Sequence, residues 1–150
     1  MSFPFALRTP ERTLFEGEAD EVSLRAAGGD IAFLTGHVPF IGAVRISECR
    51  IVPTGGAAVL AAVHGGLVEV DPERAVVLLA PIAELAAEID VARARAAEAR
   101  LAGSALVEDA SAAAALERAV CRLAVAGVVA SAGGLTTAAA RAPAGHGSGS

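Results

Sequence analysis

The chain of 150 residues has no tryptophan and no tyrosine, and it contains no lysine. Its 12 basic side chains are all arginine, set against 17 acids, for a formal net charge of −5. The missing basic surplus argues against a nucleic-acid binder. The missing lysine removes the side chain that a Walker-type loop places on nucleotide phosphates. Cysteine and histidine are scarce: Cys49, Cys121, His37, His64 and His146 are scattered instead of clustered, so no zinc-ligand spacing forms. Two distant cysteines fit reduced thiols, although the sequence leaves a bridge open. The start lacks the basic segment and apolar run of a signal peptide. Leu123 to Ala140 is free of charge but mostly Ala, Gly, Ser and Thr, a poor composition for a membrane span. No nucleophile, base and orienting group stand at a recognisable spacing, which argues against an enzyme.

What is present falls into two textures. Residues 3 to 80 are short apolar runs separated by turn signals such as Thr9-Pro10, Gly28-Gly29, Thr35-Gly36, Pro53-Thr54-Gly55-Gly56, Gly65-Gly66 and Asp71-Pro72-Glu73-Arg74. In DEVSLRA, Val22 and Leu24 alternate with Glu21, Ser23 and Arg25, the period of a half-buried antiparallel strand. In VRISECRIV, Val44, Ile46 and Ile51 compete with Arg45, Ser47 and Arg50 for the two faces. Short strands with regular punctuation predict a β-sandwich or barrel. The Gly-Gly pairs read as turns, since no helix start follows them at phosphate-loop spacing.

After Pro81 the composition turns to Ala, Glu and Arg, good helix formers. Residues 82 to 102 are predicted as a helix with Asp90 capping the turn at DVAR and Gly103-Ser104 as the stop. A loop carries Glu108 and Asp109. A second helix is predicted from about Ser111 to Ala126, capped by Ser111 or Asp109, with Leu116, Val120, Leu123 and Gly127 on one stripe. The predicted organisation is a sandwich over 1–81, an antiparallel helical hairpin over 82–127 and a disordered tail over 128–150. Two short, alanine-rich helices are marginal alone, so the hairpin should depend on docking and could move.

Taken in order, TPERTLFEGEADEVSL, GGDIAFLTGHVPFI, VHGGLVEVDPERAVVLLA, AEIDVARARAAEARL and ALERAVCRLAVAG resemble the epsilon subunit of bacterial F-type ATP synthases over about residues 3 to 127. The resemblance implies a sandwich of about ten strands that grips the gamma subunit and touches the polar loops of the c-ring. It implies a non-catalytic central-stalk subunit of a proton-translocating synthase, peripheral at the cytoplasmic face of the membrane. Its hairpin would fold on the sandwich, or extend along gamma toward the alpha and beta subunits and inhibit ATP hydrolysis. Ile89-Asp90-Val91-Ala92-Arg93-Ala94 is similar to the IDxxRA motif of members that bind ATP in the folded hairpin. That likeness implies ATP as a regulatory ligand, with no required cofactor and no metal. It implies a site of Glu84, Ile89, Asp90, Arg93, Ala94, Arg100, Arg118 and Arg122. It also implies a rotor-ring contact at Asp30 and a gamma contact at His37.

Spacing bears on the arginines separately. Arg93 and Arg100 are seven apart and Arg118 and Arg122 four apart, so each pair shares a helical face. Converging guanidiniums suit a bidentate phosphate, with Asp90 and Glu84 accepting from base or ribose and Ile89 and Ala94 as an apolar bed. From spacing alone, a solvated face with local pairs such as Asp90 with Arg93 remains open. So do a turn role for Asp30, a structural role for His37 and strand packing for His64 and Cys49. Cys121 reads as a small apolar filler. A nucleotide sensor working without gamma is the alternative function. Two departures from the family stand out: the second helix is weakly basic, and RISECRI lacks a glycine-containing turn.

Overall fold

The computed structural model describes residues 1–103 and 109–139, with side chains described through residue 127. Its strands are β1 (Phe3–Arg8), β2 (Thr13–Ala26), β3 (Gly29–Phe33), β4 (Phe40–Pro53), β5 (Val59–Val70), β6 (Val76–Leu79) and β7 (Ala83–Leu85). A 3-10 turn over Ala86–Glu88 leads to α1 (Val91–Gly103), and α2 spans Ala110–Ala139. The sheet runs β1-β6-β5-β4-β2 and closes on itself because β1 also pairs with β2; β3 attaches to β2 and β7 to β5. The result is a barrel-like β-sandwich followed by two helices packed on each other, the predicted fold class.

Seven strands stand where the resemblance implies about ten, because three of them are long and turn from one layer to the other. Each long strand switches the face it buries partway along. In β5, Ala61 and Val63 enter the core, and after Gly65-Gly66 the buried residues are Val68 and Val70. In β4 the switch falls between Val44 and Cys49, and in β2 between Ala19 and Val22. These switches explain why Val44, Ile46 and Ile51 compete in the sequence. The second and third follow irregular registers or uninterrupted strand, so no glycine turn is needed in RISECRI. Gly65-Gly66 is therefore not a chain reversal. It is a bend inside β5, with φ of 84° and 128°. A side chain at Gly66 would place Cβ 2.2 Å from the Leu79 carbonyl oxygen.

Composition misplaced the start of the helical region. Residues 83–85 are strand, with Ala83 opposite Val63 and Leu85 opposite Ala61, and α1 begins only at Val91. Ala and Glu favour helix, but the available edge of β5 and burial of Ala83 in the core override that preference. At the other end, α2 continues to Ala139, past the predicted end near Ala126 and into the stretch predicted as a disordered tail over 128–150. Gly127 costs only about 1 kcal/mol in a helix. Asp109 is the cap of α2: its Oδ1 accepts from the Ser111 amide at 2.9 Å and its carbonyl from the Ala113 amide at 3.1 Å. Ser104, Glu108 and the segment 140–150 lie outside the described residues.

The core is built from Phe3, Phe5, Leu7, Val22, Phe33, Ile51, Val63 and Leu78 among others. A second, smaller cluster of Leu60, Ala62, Ile89 and Val125 joins the outer face of β5 to the helices, with Cys121 packed beside it. Cys49 and Cys121 are both free thiols, and burial pushes them up to about 12 and about 11.

Candidate functional site at the hairpin dock

The even-numbered residues of β5 put Leu60, Ala62 and His64 on the face beneath α2 and the 3-10 turn, while Ala61 and Val63 enter the core. β7 lies alongside and brings Glu84 to the same place. Arg122 reaches down from α2 and donates Nε–H to Glu84 Oε2 at 2.5 Å. The same oxygen is 3.5 Å from His64 Nε2, an ion-pair range too long for a hydrogen bond. Both ring nitrogens of His64 are buried and have no hydrogen-bond partner among the described residues. Burial holds the imidazole below its ordinary pKa, Arg122 and Arg118 push it further down, and Glu84 opposes them.

At the entry to α1, Asp90 Oδ1 accepts from the Arg93 amide at 3.0 Å, and its carbonyl accepts from the Ala94 amide at 3.0 Å. Asp90 is thus the predicted N-cap, and it meets the Arg93 backbone instead of forming a side-chain ion pair. Ile89 and Ala94 are buried, Ile89 in the small cluster with Leu60, Ala62 and Val125. Just before this cap, Arg12 grips Glu88 with both terminal guanidinium nitrogens at 2.8 and 2.5 Å, and Glu88 also accepts from the Leu85 amide. Arg12 thereby holds the Glu88 carboxyl below its usual range. The chain is pinned to the β1–β2 turn as far as Glu88.

The predicted residues are therefore brought together in part. Glu84 and Arg122 meet beside His64, with Arg118 acting on it electrostatically from the same helix, and Ile89, Asp90 and Ala94 lie at the neighbouring helix entry. Arg93 and Arg100 are exposed on α1, flanking its more buried positions Val91, Ala94, Glu98 and Leu101. Asp30 sits in β3 just past the turn and pairs with Arg25 Nε at 2.8 Å. His37 lies beyond the other end of β3, packed on Phe33 and Phe40. Two features were missed: the buried imidazole of His64 and the Arg12–Glu88 clamp. The period of Leu60, Ala62 and His64 was readable, but not which structure covers that face. Arg12 and Glu88 are too far apart in sequence to be paired by inspection.

Among the described residues, no helix is long and apolar enough to cross a membrane and no cluster of His, Cys, Asp and Glu is arranged to hold a metal. The class is defined by a closed sandwich that carries a docked helical pair, with charged side chains gathered at the dock. Residues 2–86 match the family model described as ATP synthase, Delta/Epsilon chain, beta-sandwich domain, and the chain belongs to that family. It is 39% identical over 73 residues to an ATP synthase epsilon chain of Bacillus thuringiensis (strain Al Hakam), covering 49% of this chain and 54% of that one. The corresponding protein of Bacillus mycoides (strain KBAB4) is 38% identical over the same length and coverage. The match thus spans about half the length of these relatives. The fold is similar to a chain in the mitochondrial ATP synthase of Euglena gracilis, an OSCP/F1/c-ring structure in rotational state 1. That likeness has a TM-score of 0.65 at 15% identity, covering 87% of this chain and 81% of that one. A chain in the central stalk/c-ring structure of Tetrahymena thermophila mitochondrial ATP synthase gives a TM-score of 0.50 at 14% identity, with coverages of 60% and 71%.

Proposed function

We propose that this chain is the epsilon subunit of an F-type ATP synthase: a non-catalytic rotor component. Its sandwich grips the gamma subunit and meets the c-ring, and its hairpin regulates ATP hydrolysis. The observation that carries the reading is the family match over the sandwich, followed by a helical pair held to it by a small apolar dock. In this reading Asp30 faces the ring and His37 faces gamma, at opposite ends of β3. The assembly is peripheral at the cytoplasmic face of the membrane, and extension of the hairpin would bring it to the alpha and beta subunits. Purified chain mixed with gamma, alpha and beta subunits is expected to co-elute with them on gel filtration. Elution away from gamma rejects the assignment.

ATP is proposed as the ligand of the docked hairpin. Arg118 and Arg122 supply cationic forks for phosphate, Glu84 and Asp90 supply acceptors, and Ile89 and Ala94 supply an apolar surface. Arg93 and Arg100 would swing onto the phosphates from the exposed flank of α1. Nucleotide is expected to raise the melting temperature by mass action, equivalent to about 2.7 kcal/mol at a hundredfold excess over Kd. Arg93→Ala and Arg122→Ala should each abolish the rise while leaving the sandwich folded. A full rise in both variants rejects this placement.

A further inference from the structure

The segment joining β3 to β4 and the first residues of β4 beyond it present an apolar surface: Leu34 and Val38 in the segment are 54% and 65% exposed, and Ile41 at the start of β4 is 69% exposed. His37 sits among them in a fixed pose. Its ring centroid lies 5.0 Å from that of Phe33 and 6.1 Å from that of Phe40. Its Nδ1 lies 2.8 Å from the Val38 carbonyl oxygen, which can only accept, so Nδ1 carries the hydrogen.

This segment lies between strands and is held by a distant side chain. Arg74, in the turn between β5 and β6, donates from one terminal guanidinium nitrogen to the carbonyls of Gly36 at 3.0 Å and His37 at 2.8 Å. Arg74 is also the only non-glycine residue with positive φ among the described residues, at 72°. That conformation costs a non-glycine residue roughly 1–2 kcal/mol. The turn itself does not need an arginine. Its hydrogen bonds are the Asp71 amide to the Ala75 carbonyl, the Arg74 amide to the Asp71 carbonyl and the Ala75 amide to Asp71 Oδ1. A glycine would make all of them without the strain. What this arginine adds is its side chain's hold on the neighbouring loop, and backbone strain kept at such a point directs attention to function.

We propose that Arg74 is a positioning residue that preforms the His37 loop as a contact surface for the gamma subunit, an inference that rests on the assignment above. Holding the loop before contact reduces the ordering cost of association.

The test compares wild type, Arg74→Gly and Arg74→Lys in titrations against purified gamma subunit, with hydrogen exchange read at the His37 amide. Arg74→Gly is expected to melt at or above the wild-type temperature, because it relieves the strained φ. It should nevertheless bind gamma at least about tenfold more weakly and exchange the His37 amide faster. Arg74→Lys keeps a charged donor and should recover part of both. Binding by Arg74→Gly within about twofold of wild type, or unchanged exchange at His37, overturns the positioning role and leaves the gamma assignment standing. A wild-type chain that does not bind gamma rejects the assignment and this inference with it.

Discussion

Gly66→Ala is expected to cost about 3 kcal/mol or more of folding stability, at the upper end of what single substitutions do. Two effects act together. The residue sits at φ 128°, where a side chain is strained, and its new Cβ would lie 2.2 Å from the Leu79 oxygen and 3.0 Å from the Ala80 Cα. Both obstacles are backbone, so no rotamer change relieves them. Leu79 cannot withdraw without disturbing β6, whose register against β5 runs from Leu67 opposite Leu79 to Val70 opposite Val76. Gly65→Ala is the internal control. It shares a positive φ of 84°, but its nearest obstacle is the Val44 oxygen at 3.7 Å. It should therefore lose only the conformational term, about 1 kcal/mol. Urea denaturation of both variants separates the two contributions. Equal midpoints would mean that the close approach of β5 to β6 carries no energy.

That pair of glycines also shows where reading the sequence stopped. The alternation around Val22 and Leu24 is local, and it predicted which residues are buried. Gly65-Gly66 carries the right chemistry for positive φ, but the sequence does not distinguish a reversal from a bend that continues the same strand. That depends on β6 lying against the bend. The same limit moved the helix start from 82 to Val91: Ala83, Glu84 and Leu85 have no strand preference of their own, and they become a strand because β5 offers an edge. At the candidate site, Asp90 was legible as a cap because capping is decided within one helical turn. Glu84 and Arg122 were named as site residues by resemblance, but their direct contact is a matter of how α2 lies on the sheet. His64 passed as strand packing for the same reason. Strand packing was the reading, and the arginine-bearing helix above it was not part of it.

His64 leads to the other large effect, a loss of hairpin docking in acid. The imidazole faces Glu84 from β7 and Arg118 and Arg122 from α2, and its pKa in the docked state lies below the ordinary 6.5. Above that value the ring is neutral whether α2 covers it or not, and His64 leaves docking unchanged. As the pH falls below 6.5, the uncovered ring takes up a proton while the docked one resists, so the undocked state gains. The penalty grows until the pH passes the docked pKa, where both states hold the proton and it levels off. Each tenfold difference in proton affinity between the two states shifts the equilibrium by about 1.4 kcal/mol. The dock rests on few large side chains, Leu60, Ile89 and Val125, so a shift of that size should be visible in its population. Hydrogen exchange in α2 is expected to speed up from pH 7 to pH 5, after correction for the intrinsic pH dependence of exchange, while amides of β1 and β6 stay protected. His64→Leu, which fills the same space without a titrating group, should remove most of that dependence and leave the Glu84–Arg122 pair in place. If His64→Leu keeps the full acid response, the protons act elsewhere. If wild-type α2 stays equally protected across the range, the buried imidazole does not govern whether the hairpin remains folded onto the sandwich.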